Sequence, residues 1–242
     1  MKIHTTTLTL SVTPSELIEC PSILVERSCL LSTIEDIEDE TNLPVLVPDF
    51  VSKELLNDVI KILENRSFDN VVGSSIEHLI SIEITLDFLA ITDVSDHLLS
   101  LLHEKVSIGN SFQIFKLTNK IPCFHSLTCK SISILMIQIQ DYYKKNDLSD
   151  NVEDPFADKY SELPIIDVEI LISYADQYYT VAKIMILKNW IARHYYSIDT
   201  HSVSNLMDVI YKEASYIPRR EIKFMRKIRD YILLQFLKPE RS

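Results

Sequence analysis

Leu43-Pro44-Val45-Leu46-Val47-Pro48-Asp49-Phe50-Val51-Ser52-Lys53-Glu54-Leu55-Leu56-Asn57-Asp58-Val59-Ile60 is the most informative stretch of this 242-residue chain. Proline has no N–H to give to a sheet ladder, so Val45-Leu46-Val47 between Pro44 and Pro48 suits a short edge strand. Ser52 then stands where a helix would begin, because its hydroxyl can take one of the amides left unpaired in the first turn. Beyond it Leu55, Leu56, Val59, Ile60, Ile62 and Leu63 recur at helical spacing and define an apolar face. Leu56 and Ile60, four apart, are expected to be buried.

Toward the N-terminus, residues 3–12 alternate with Leu8, Leu10 and Val12 on one face, and Glu16-Leu17-Ile18-Glu19 is a second short strand before Pro21. From Ser22 the spacing of Ile23, Leu24, Arg27, Leu30, Leu31 and Ile34 turns helical, and Glu35 to Asn42 reads as an acidic surface loop. Toward the C-terminus, Phe68 to Ser75 is a loop and Ile76 to Ala90 a second helix. Thr92-Asp93-Val94-Ser95 is a capped turn, and Leu98, Leu99, Leu101 and Leu102 mark a third helix ending near Val106.

The rest of the chain reads as helical. Residues 121–143 are apolar and read as a helix, with β-branched Ile and Thr leaving strand as the alternative; Asn146 to Ser161 is an acidic, turn-rich linker, and 167–196, 202–216 and 218–237 are three further helical stretches. Pro218 fits a first helical turn and Pro239 follows the last one. The fold class expected is α+β: a domain over residues 1–110, a connecting segment over 111–161, and an all-helical region over 162–242.

Composition removes several functions. With only two glycines, Gly73 and Gly109, there is no loop whose bare backbone could cradle a phosphate. No GxSxG elbow and no HExxH helix occurs. A net charge of −11 disfavours broad nucleic-acid binding. The longest apolar run, near residues 132–139, is too short to span a bilayer. Four cysteines without a framework and an N-terminus unlike a signal peptide point to reduced thiols in cytoplasm or nucleus.

The order of these elements resembles the BTB/POZ fold, and most closely its SKP-type and elongin C branch of cullin adaptors. Three stretches carry the resemblance. Glu26-Arg27-Ser28 with Leu30, Leu31 and the acidic run to Glu40 is similar to the family's first helix and acidic loop. The quoted stretch is similar to its Pro-rich strand and following helix. Leu89-Ala90-Ile91-Thr92-Asp93-Val94, followed by Leu98, resembles its helical hairpin. Together they cover about residues 3–108. A fainter likeness to a hairpin common among BTB proteins lies at Glu169 to Val181. The resemblance implies a partner-facing edge built from the hairpin and the strand near Leu46, here carrying Leu46, Ile91, Asp93, Val94 and His97. It implies a cullin-like or BTB-like protein partner, with self-association as one form of the latter, and neither catalytic residues nor a cofactor.

Other clusters read as structural. Cys123, His125 and Cys129 lack a fourth ligand, so buried thiols beside a turn histidine account for them better than a metal. Glu83 and Asp87, four apart, read as a solvated helix face. The last helix carries Arg219, Arg220, Lys223, Arg226, Lys227 and Arg229, and residues 215–242 hold eight Lys/Arg against three Asp/Glu. Its apolar face is Ile222, Met225, Ile228, Ile232 and Phe236, so it is expected to be a docked amphipathic helix with its basic side near the acidic loops, the alternative being a second partner surface of Arg219, Arg220, Lys223 and Arg226. The expected function is that of a non-enzymatic adaptor or scaffold, with no small-molecule substrate, linking a partner to a cullin-type ubiquitin ligase. The alternative is a structural or assembly subunit. Isoleucine-rich, glycine-poor usage suggests an AT-rich genome, that of a large DNA virus or a protist, in which such a subunit would serve a virion or another complex.

Overall fold

The computed structural model describes residues 8–13, 16–37, 45–146, 154–194, 200–212 and 219–237. The chain divides into two compact units, Met1–Lys105 and Val106–Ser242.

The first unit holds a three-stranded sheet of order β2-β1-β3, made of β1 (Thr9–Thr13), β2 (Glu16–Glu19) and β3 (Val45–Leu46). β1 and β2 form an antiparallel hairpin with Leu10 opposite Ile18 and Ser11 opposite Leu17. β3 returns parallel to β1, Ser11 now opposite Leu46. Side chains alternate across a strand, so Leu8 and Leu10 enter the core while Leu17 and Leu46 flank Ser11 on the other face. β3 lies at an edge, where its proline-flanked sequence suits it; Pro44 is outside the described residues.

Five helices accompany the sheet: α1 (Ser22–Arg27), α2 (Cys29–Ile37), α3 (Lys53–Asn65), α4 (Ile76–Phe88) and α5 (Ser95–Lys105). The helical run from Ser22 is broken where a single helix was expected. Ser28 leaves helical geometry (φ −93°, ψ 114°), and its hydroxyl accepts the Leu31 amide at 3.0 Å, which makes it the cap of a new helix. α2 then continues to Ile37, into the stretch expected to be an acidic loop; residues 38–44 lie outside the described ones. Ser52 caps α3 as expected, accepting the Leu55 amide at 3.2 Å. Leu55, Leu56, Val59, Ile62 and Leu63 are buried, whereas Ile60 is only half-buried. It sits at the border of an apolar arc that the other five centre on the opposite side of Leu56.

The second unit is helical in all its described elements: α6 (Ser111–Thr118), α7 (His125–Lys145), α8 (Ala157–Ser161), α9 (Ile165–Tyr174), α10 (Thr180–His194), α11 (Thr200–Lys212) and α12 (Arg219–Leu237), with short 3-10 turns before α7 and α10. Its axis is α10, which packs against α7, α8, α9, α11 and α12 and is buried on every side from Thr180 to Leu187. Residues 111–145 differ from the connecting segment expected there. Phe115 on α6 and Ile132, Leu135, Met136, Ile139 and Tyr143 on α7 belong to the same core as Met185, Leu206 and Ile228. The stretch 167–196 also divides, because Ala175 turns extended (ψ 140°) and Asp176 caps the next turn through the Tyr178 amide at 3.0 Å. Pro218 and Pro239 lie outside the described residues.

A half-buried carboxylate ties this unit together at the edge of the acidic stretch. Asp154 accepts the hydroxyls of Tyr143 and Tyr160, the Asn189 amide at 2.9 Å and the Phe156 backbone amide at 2.8 Å. Burial raises its pKa above the usual carboxylate range, while those donors and the Lys188 charge pull it back. The Tyr143 hydroxyl is held well above its ordinary value by burial and the Asp154 charge, so it remains a donor.

Two expectations follow. Residues 1–105 expressed alone should unfold in one cooperative thermal transition, because their strands and helices close on their own core. A non-cooperative melt would show that the core needs the second unit. Asp154→Ala in the full chain should cost about 2–4 kcal/mol in urea unfolding, since it strands two tyrosine hydroxyls and an amide away from water. A loss below about 1 kcal/mol would mean that water replaces the carboxylate freely.

Candidate protein-interaction site

The sequence points to the turn between α4 and α5, and the backbone there explains which of its residues face outward. α4 ends with Ala90 in the left-handed region (φ 52°), the Ala90 amide bonding to the Asp87 carbonyl at 3.0 Å and the Ile91 amide to that of Leu86 at 2.9 Å. This pair of bonds is a Schellman closure, in which the residue after the left-handed one folds back over the helix it terminates. Ile91 is accordingly buried, as is Leu86. The expectation that Ile91 belongs to a partner surface is therefore corrected, for the C-cap geometry takes its side chain into the core.

The remaining residues of the turn do meet. Asp93, Val94 and His97 line a cleft of about 460 Å³ with Arg27, Leu63, Arg66, Phe68 and Leu101. Arg27 pairs with Asp93 at 2.6 Å. The His97 ring lies nearly parallel to Phe68, centroids 5.4 Å apart. Arg66 is the second left-handed residue of the described chain (φ 50°), at the C-terminus of α3, a geometry that costs a residue with a Cβ about 1–2 kcal/mol and that glycine adopts freely. A guanidinium is nonetheless kept there, and it makes no ion pair among the described residues. Neither Arg66 nor Phe68 was singled out from the sequence; an arginine at a helix terminus without a following glycine was the available signal.

Leu46 does not join this cleft. It projects from β3 with 79% of its surface exposed, and Leu17, across Ser11 on the same sheet face, is 59% exposed. Phe50, four residues further on, is also exposed and meets Phe88 of α4 edge-on at 6.2 Å. The surface expected near Leu46 is thus an apolar row on the sheet, and that expected at the turn a mixed cleft. Arg219, Arg220, Lys223 and Arg226 all lie on α12 and all are exposed, Arg226 at the lip of a shallow cleft with Tyr211 and Arg229. The apolar side of α12 docks as expected through Met225, Ile228 and Ile232, with Ile222 half-buried and Phe224 added to the core.

Glu83 overturns a second expectation. It is not on a solvated face but wholly buried (0% exposed), whereas Asp87 is exposed. One carboxyl oxygen accepts the Ser95 hydroxyl at the start of α5, and the other has no partner. Burial, reinforced by the charges of Asp87 and Asp96, pushes its pKa up to about 7. Every residue of α4 but Asp87 is buried or half-buried, polar ones included, so the i,i+4 spacing of two acids could not tell which faces water. The Cys–His cluster is also placed differently from buried thiols: Cys123 and Cys129 are half-buried, and His125 is exposed at the head of α7 with its ring 3.7 Å from the Cys129 sulfur. Among the described residues no three His, Cys, Asp or Glu converge as metal ligands, and no helix is long and apolar enough to cross a membrane.

Compared with protein-family models, curated proteins and solved structures, the chain finds no match.

The buried carboxyl sets a pH dependence. Its folded pKa lies above its ordinary value of 4.5, so between about 4.5 and 7 the folded chain binds more protons than the unfolded one. This contribution to stability is fully present below that window and is lost as pH rises through it, by about 1–3 kcal/mol. Glu83→Gln removes an ionisation, so urea unfolding at pH 5 and pH 8 should show a smaller drop in the variant. Equal drops would mean that Glu83 ionises as freely as an exposed carboxyl.

Proposed function

We propose that this chain is a non-enzymatic protein-interaction adaptor whose first unit is built as a BTB/SKP-like domain. The observation that carries this reading is the pair of outward leucines, Leu17 and Leu46, set across one face of a sheet in which β3 is an edge strand among the described residues. An apolar row on a sheet face, next to an edge that can accept another strand, is a liability that a free protein normally blunts with charge; a chain that keeps it has a partner to cover it. The element order supports the likeness to the SKP branch: a hairpin, two short helices, a third strand parallel to the first, then three helices. The cleft at the α4–α5 turn supplies a second contact on the same unit, with aromatic, apolar and guanidinium groups of the kind on which interface energy concentrates.

The reading is tested with a purified cullin N-terminal domain and with the protein itself. Leu46→Asp, and separately Val94→Asp with His97→Asp, replace two exposed side chains, Leu46 and His97, and the half-buried Val94, and an unchanged melting curve certifies each variant. Each should weaken the wild-type complex, cullin-bound or self-associated, by about 2 kcal/mol or more. Cullin capture by a monomer supports the ligase adaptor, and a concentration-dependent dimer sensitive to Leu46→Asp supports the self-associating form. A chain that stays monomeric and binds no cullin would remove the reading.

A further inference from the structure

α12 places its charges against its own stability. Arg219 and Arg220 occupy its first turn, where the helix dipole is positive and each added cation costs about 0.3–1 kcal/mol; among the acids only Glu221 lies there, paired with Lys144 at 3.0 Å. A helix that merely needed to be soluble would carry those cations at its other end.

Their spacing gives them a common direction. Arg219, Lys223, Arg226, Asp230 and Leu233 follow one another at alternating steps of four and three residues, which draws a single stripe along a helix. Met225, Ile228 and Ile232 turn inward, so this stripe faces away from the core. Arg219, Lys223 and Arg226 make no ion pair among the described residues, and Asp230 is taken up by Arg229 at 2.9 Å. Below the cations the stripe becomes apolar, with Leu233 45% and Leu234 58% exposed. Beside Arg226, the Arg229 guanidinium lies 5.8 Å over the Tyr211 ring and helps line the shallow cleft.

We propose that this outer stripe of α12 is the docking surface for an acidic amphipathic helix of a partner protein, whose carboxylates meet Arg219, Lys223 and Arg226 and whose apolar side chains cover Leu233 and Leu234. The charge complementarity selects the partner's acids, and the two exposed leucines require an apolar continuation that a polyphosphate does not possess. The main apolar face of α12, which a membrane would need, is already spent in the core. The proposal rests on the reading of the chain as a protein-binding adaptor, through residues other than those of the α4–α5 cleft.

The test uses the full chain and a labelled synthetic helical peptide bearing three glutamates at i, i+4 and i+7, followed by two leucines on the same face. Binding is followed by fluorescence anisotropy. Lys223→Glu with Arg226→Glu should weaken it about tenfold or more, Leu233→Ala with Leu234→Ala about fivefold, and added salt should weaken it steadily. A control peptide of equal composition, with glutamates and leucines dispersed around the helix, should bind about tenfold more weakly. The Val94→Asp, His97→Asp variant should bind like wild type, so that failure of the adaptor cleft and failure of this surface are distinguished. All these substitutions lie on exposed or half-exposed positions, and an unchanged circular-dichroism melt certifies each variant. The proposal is overturned if the peptide does not bind, if the dispersed control binds equally, or if a DNA duplex or phosphatidylserine vesicles bind more tightly than the peptide.

Discussion

The hydroxyl of Ser28 accepts the Leu31 amide and donates to the Leu89 carbonyl, so one buried side chain both starts α2 and fixes the end of α4. Its neighbour Arg27 reaches Asp93 on the other side of the turn, and the Cys29 amide approaches the Ala90 carbonyl. The carbonyls and amides freed where a helix ends must find partners if they are buried, and here the break between α1 and α2 supplies them. The geometry of the α4–α5 turn depends on this tie. With it in place, Ile91 is committed to the core while Asp93, Val94 and His97 remain available at the cleft.

The same economy governs the two left-handed residues. A chain with two glycines places neither at a left-handed turn and puts Ala90 and Arg66 there instead. At Ala90 the closure is backbone-driven and the side chain is incidental. At Arg66 a long cationic side chain is held in a conformation that favours glycine, and it opens onto the cleft. Glu83 shows a similar tension, for an acid with an unpartnered oxygen sits between α4 and the start of α5. These departures from what stability alone prefers lie at the end of α3, within α4 and at the turn that closes α4.

The second unit solves a different problem. Its central helix is buried all round from Thr180 to Leu187, so the surrounding helices must each present a single apolar stripe, and α12 does so with a strongly basic opposite face. Asp154 closes the structure where α7 gives way to α8, converting a carboxylate into a four-donor junction. The acidic, turn-rich composition around it reads as a linker, yet this one acid is part of the fold, because two tyrosines and an asparagine from distant helices converge on it.

What the sequence determined by itself was local. Alternation gave β1 and β2, proline placement gave β3, Ser52 gave the start of α3, and the 3.6-residue period gave the docked side of α12, since each of these is a property of neighbours along the chain. What only the tertiary structure decided was whatever depends on a second element. The inward turn of Ile91 follows from a C-cap, the burial of Glu83 from a helix buried on most sides, the joining of 111–145 to the later helices from packing on α10, and the separation of Leu46 from the α4–α5 cleft from the sheet. A helix whose acids fall among its apolar residues carries little periodic signal of its orientation, and a hydrogen bond between residues about sixty positions apart leaves no trace in either stretch alone.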